Sequence, residues 1–207
     1  MTIHPLPTVT GATIQVDILA WGKPGWHAAA AMIEAHFLTV HGASVAIPAV
    51  PLAVARGAHG RILGAAGLRD AAAGFFSQVY LDRPVESVLS RLSGHAVAPE
   101  EVIEIVSMAC PASIATLPLI EAITAEGRHR GARWGFFTAT GPLMRMLRRT
   151  GVPLVALAPA RADRLADAAR WGRYYDADPW VCALQESNEP LRFIPRRGAP
   201  LKKVLSR

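Results

Sequence analysis

The chain has 207 residues, 51% of them hydrophobic and 18% charged. That is enough for one globular domain with its own core, and it excludes disorder, a collagen-like repeat and a small disulfide scaffold. The formal charge of +6 is unevenly placed: residues 1–126 hold 6 basic and 10 acidic side chains, residues 127–207 hold 16 and 6. Seven arginines (Arg128, Arg130, Arg133, Arg145, Arg148, Arg149 and Arg161) lie between Glu126 and Asp163 with no acid among them. Such a field attracts an anionic partner: a phosphorylated cofactor, an acidic protein, an anionic membrane or nucleic acid. Cys110 and Cys182 match no metal-ligand spacing and no secretory signal precedes them, so free thiols and a cytoplasmic location are expected. Residues 35–55 are free of Asp, Glu, Lys and Arg and long enough to span a bilayer, but Pro48 and Pro51 make a spanning helix an unfavourable reading.

In chain order, residues 12–19 alternate as a strand does, and the Ala-rich residues 25–40 read as a helix ending at Gly42. Residues 43–55 and 60–71 then read as two strands of an antiparallel hairpin about Arg56–Gly60. A helix from Arg83 with Pro84 in its first turn leads to a β-branched strand at 102–109. The next helix, 114–131, is expected to break or kink near Pro118, and a strand at 133–140 follows. A basic helix (141–151), a strand (152–158), a helix around 163–172, a short aromatic segment and a loose basic tail complete the chain. The middle strand–helix–strand unit implies a parallel pair with a right-handed crossover, flanked by antiparallel strands. The predicted fold is a mixed α/β sheet, one domain over residues 1–190 with a basic tail at 191–207, and its order is similar to that of GNAT-type N-acyltransferases.

The chain has no nucleophile elbow, no phosphate loop and no HExxH, and its seven histidines never pair at i+3 or i+4, so no metal site is expected. Three segments carry chemistry. Strand 102–109 sets Glu104, Val106 and Met108 on one face and Ile103, Ile105 and Ser107 on the other. A carboxylate buried there has a raised pKa and suits a general base; the alternatives are an arginine partner or solvent at an edge. Thr138 and Thr140 offer hydroxyls at the carboxyl end of a parallel strand, and Arg145, Arg148 and Arg149 on the following helix offer a footprint for phosphate or an acidic protein. Trp171, Tyr174, Tyr175 and Trp180 fall within ten residues, either packing the end of the sheet or lining a pocket with a tyrosine as general acid.

The stretches AAGLRDA (65–71), YLDRPVE (80–86), VIEIVSMA (102–109), RWGFFTAT (133–140), LRRTGVPL (147–154) and WGRYYDADPWV (171–181) resemble, in order, the thermostable hemolysin family. The resemblance implies a GNAT-like fold related to acyl-homoserine-lactone synthases. It also implies acyl transfer from a phosphopantetheine thioester, on acyl carrier protein or CoA, to a small amine, with no tightly bound cofactor. Glu104 keeps the family's glutamate, whereas Ser107 stands where asparagine is typical. The segment CPASIATLP lacks the glycines and basic residue of a pyrophosphate-binding loop, which favours carrier protein over CoA. On this reading Glu104 takes the amine proton and Tyr174 or Tyr175 protonates the leaving thiolate. Ser107, Met108, Ala109, Ser113, Thr138, Thr140 and Trp171 contact the donor, and Arg145, Arg148 and Arg149 hold its phosphate or carrier. A homodimer is an open alternative. The competing reading is a membrane-active protein docking its basic half on anionic lipid; nucleic-acid binding rests on charge alone and is not expected.

Overall fold

The computed structural model describes residues 14–186. Seven strands form one sheet: β1 (Gln15–Leu19), β2 (Leu52–Arg56), β3 (Ile62–Arg69), β4 (Val102–Ala109), β5 (Trp134–Ala139), β6 (Leu154–Pro159) and β7 (Trp180–Gln185), in the order β1-β2-β3-β4-β5-β7-β6. Only β4 and β5 are parallel; every other neighbouring pair is antiparallel. Helices α1 (Trp26–His41) and α2 (Val85–Ser93) cover one face of the sheet, α3 (Thr116–His129) and α4 (Gly141–Arg149) the other. This is the GNAT-like mixed sheet expected from the sequence. The tail at 191–207 lies outside the described residues.

Strand periodicity divides the core between the two faces. Leu52 and Val54 of β2 pack under α1 with Trp26, Ile33 and Phe37, while Ala53 and Ala55 meet Leu119 and Ile123 of α3. Helix α1 ends where Gly42 takes the left-handed conformation (φ 65°), and the Gly42 N–H bonds to the Leu38 carbonyl.

Several expectations need correction. The strand expected over 43–55 is confined to β2, because Pro48 and Pro51 leave the preceding residues without ladder hydrogen bonds. Residues 35–55 are therefore the end of α1, an extended connection and a sheet strand. No helix among the described residues is long and apolar enough to cross a membrane. Helix α3 is continuous, because Pro118 falls in its first turn, where its missing N–H has no partner to lose. The helix expected around 163–172 is instead a set of 3₁₀ turns at Ala162–Arg164, Ala168–Trp171 and Tyr174–Ala177. The aromatic segment after it opens into β7, inserted between β5 and β6; its continuous apolar run has no alternation to betray a strand.

Candidate active site

The centre of the molecule is the line where β4 and β5 diverge. Their ladder runs from Val102↔Trp134 to Ile105↔Phe137 and then stops; β5 continues against β7 alone, through Thr138↔Val181 and Ala139↔Trp180. On the other side of β4 the pairing to β3 slips between Gly67↔Val106 and Ala65↔Ala109, so β4 carries one extra residue. Ser107 sits in this bulge at φ 51°, a left-handed conformation for which asparagine is better suited than serine. The bulge ends the alternation: Met108 packs with Ile105 on the α3 side, not on the Glu104 face as the simple strand pattern required.

A cavity of about 870 Å³ occupies the divergence and extends over both faces of the sheet. Of the expected site residues, Ser107, Met108, Thr138, Thr140, Trp171 and Tyr174 line it. Ala109, Ser113, Tyr175, Arg145, Arg148 and Arg149 do not, and neither does Glu104.

Glu104 is fully buried on β4, yet neither of its oxygens is orphaned. Oε2 accepts the Phe76 N–H and Oε1 the Ser77 N–H, each at 2.6 Å, in the turn that follows β3. Burial holds the carboxyl above its ordinary pKa; the Ser77 hydroxyl, these two amides and the Arg69 charge oppose that shift without reversing it. Thr138 donates from Oγ1 to Ser77 Oγ at 2.9 Å, and both hydroxyls border the cavity. Thr138 and Ser77 therefore connect the cavity to Glu104, which the cavity does not touch: the Ser77 N–H bonds to the carboxylate and the Ser77 hydroxyl favours its charged form.

Aromatic rings wall the α1 side. Trp171 stacks on Phe76 with ring centroids 5.5 Å apart, and Tyr174 lies between Phe37 and His41. Burial raises the Tyr174 pKa. The Tyr175 hydroxyl is held by that of Tyr80 at 2.8 Å, tying the 3₁₀ turn Ser77–Tyr80 to the turn Tyr174–Ala177. His41, whose pKa burial lowers, shares this chamber with Arg69 and Arg173, neither of which is in an ion pair among the described residues.

Sequence reasoning missed Phe76, Ser77 and Tyr80. Their signal was positional: they lie between or at the edge of AAGLRDA and YLDRPVE, two of the stretches that carried the family resemblance. The expectation that the arginines of the basic half act together also needs division. Arg128, Arg130, Arg133 and Arg161 are paired with Glu186, Glu126, Glu101 and Asp163. Arg145, Arg148 and Arg149 are exposed on α4 and in no ion pair among the described residues. No group of three or more His, Cys, Asp and Glu in metal-holding arrangement occurs among those residues.

The same fold occurs in solved structures of low sequence identity. FeeM, an N-acyl amino acid synthase from uncultured soil microbes, superposes with a TM-score of 0.58 at 12% identity, over 84% of this chain and 91% of its own. The AHL synthase LasI gives 0.55 at 12% identity, over 84% and 91%. BjaI, a CoA-dependent acyl-homoserine lactone synthase, gives 0.52 at 13%, over 86% and 85%. No curated protein matches the sequence. The family model described as thermostable hemolysin matches residues 20–188, which include every strand except β1, together with the bulge and the aromatic wall; the chain belongs to the thermostable hemolysin family.

Proposed function

We propose that the protein is an N-acyltransferase that moves an acyl group from a phosphopantetheine thioester to a small amine. The observation that carries this reading is the divergence of parallel strands β4 and β5 inside a cavity, with a buried carboxylate reached through two hydroxyls. The pantetheine arm lies in the divergence, where β4 beyond Ile105 has no β5 partner and the backbone amides of Ser107 and Met108 polarise the thioester carbonyl. The amine nitrogen attacks the carbonyl carbon, forming the C–N bond as the C–S bond breaks. Its proton passes by Thr138 and Ser77 to Glu104, and Tyr174 protonates the departing thiolate. Tyr175 acts by holding Tyr80 and the turn that carries Ser77. Arg69 and Arg173 suit an acceptor that carries a carboxylate, in keeping with the fold shared with an N-acyl amino acid synthase.

Acyl carrier protein is the preferred donor. At the start of α3 Ile114 is 66% exposed and Ser113 stands apart from the cavity, so this segment offers little to a CoA pyrophosphate. The three unpaired arginines of α4 suit an acidic carrier surface, and the free thiols fit a reducing cytoplasm.

The test is to incubate purified protein with acyl carrier protein thioesters or acyl-CoA and amines with and without a carboxylate, following thiol release and product mass. Thiol release that depends on the amine is expected. No release with any pairing, together with no rise in melting temperature with any donor, overturns the reading.

A further inference from the structure

Away from the reacting centre, the cavity runs along the α3–α4 face of the sheet towards the amino end of β5. Its lining there is mostly apolar, from Ile103 and Ile105 of β4, Gly135 and Phe137 of β5, Ile123 of α3 and Leu147 of α4, with Thr124 of α3 a polar exception. Gly135 keeps the floor low: a Cβ at that position meets only Ile105, at 3.5 Å, so open space lies above it. From Thr138 back to Arg133 the strand advances about 16 Å, at roughly 3.3 Å per residue.

At that end the chemistry of the wall changes abruptly. Arg128, in the last turn of α3, donates from Nε to Glu186 Oε1 at 2.9 Å, and both side chains line the cavity. The pair joins the end of α3 to the residue after β7, whose N–H bonds to the Arg133 carbonyl at the amino end of β5. Its partly exposed side chains make it a weak contributor to stability. It is a strong barrier to a hydrocarbon, which would have to separate opposite charges while offering them no hydrogen bond.

We propose that this channel receives the acyl chain of the donor and that the Arg128–Glu186 pair ends it, limiting the chain to about a dozen carbons, since staggered C–C bonds advance about 1.25 Å each. The proposal rests on the acyltransferase reading for the position of the thioester. Each methylene within the channel strengthens binding about fourfold, and those beyond the pair add nothing.

The test uses N-acetylcysteamine thioesters of saturated acids from about four to about eighteen carbons, with binding measured by calorimetry and affinity expected to rise about fourfold per methylene up to the limit. For the wild-type chain the rise levels off near a dozen carbons. In Arg128→Ala and in Glu186→Ala it continues to longer chains; in Gly135→Leu, whose side chain fills the channel midway, it stops at shorter ones. Melting temperatures confirm that each variant is folded. An identical levelling-off in all four proteins, or affinity independent of length, overturns the proposal. Amine-dependent turnover is measured separately. Amine-dependent turnover with an identical levelling-off in all four proteins removes the channel and leaves the acyltransferase reading standing, whereas absence of both turnover and donor binding removes that reading.

Discussion

Glu104 is held by two backbone amides of a turn 27 and 28 residues earlier in the chain, so one carboxylate both shapes that turn and is kept from solvent by it. Its folded pKa lies above the unfolded value. The stability this group contributes is therefore complete below the ordinary carboxylate range and is lost as pH rises through the raised pKa. Thermal unfolding followed across that window is expected to show wild type losing stability with rising pH and Glu104→Gln losing less. The same ionisation governs the proposed base: kcat/KM should rise on an acid limb displaced above the usual carboxylate pKa, and Glu104→Gln should lower it by about 10²–10⁴-fold. At Ser107 the left-handed backbone tolerates Ser, Asn or Gly but not a β-branched side chain. Ser107→Val is expected to cost about 1–2 kcal/mol in urea unfolding and to disturb the divergence of the strands, whereas Ser107→Asn leaves stability equal or higher.

Among the elements, α4 shows how folding sorts a charge cluster. Four of the arginines around it in sequence find acids from α3, from the approach to β4, from the residue after β7 or from their own turn. The three on α4 face outward while Met144 and Leu147 are buried in the sheet. Replacing Arg145, Arg148 and Arg149 together by Ala is expected to weaken acyl carrier protein binding at least about tenfold and to flatten its salt dependence, with little change for a small thioester donor. Surface plasmon resonance at two ionic strengths decides this; equal affinity of both proteins for carrier protein removes α4 as the docking face. The elements most legible in the sequence were α1, the β2–β3 hairpin, β4 and β5, where a clear period or dense β-branching coincides with a cap or turn. Strand β7 and the 3₁₀ turns before it were not legible. An unbroken apolar run fits either element, and the choice between them was made by the gap between β5 and β6.

At the scale of the whole molecule the cavity is a joint product of segments distant in sequence, and Gly172 is the tightest point of their assembly. A Cβ there would collide with the His41 carbonyl oxygen and lie 2.8 Å from Gly42, with φ already at 52°. Around it Ser44 donates its N–H to the Arg170 carbonyl and Arg173 to that of His41, each at 2.7 Å, fastening the aromatic turns to the end of α1. Gly172→Ala is expected to lower stability by at least about 2 kcal/mol and to loosen Trp171 and Tyr174. Calorimetry and tryptophan fluorescence read the two effects; an unchanged melting temperature and spectrum contradict this account of the wall.

The sequence by itself determined the mixed α/β sheet, the parallel central pair, the family and the candidacy of Glu104, because periodicity, β-branched density and motif order are local properties of the chain. Only the tertiary structure decided that Glu104 reaches the cavity through Ser77 and Thr138 and that Tyr174 faces it while Tyr175 braces Tyr80. It also decided that the arginines between Glu126 and Asp163 resolve into internal ion pairs and one free helix face. The physical reason is that burial, hydrogen-bond partners and charge compensation depend on which segments meet across the sheet, and no spacing along the chain records those meetings.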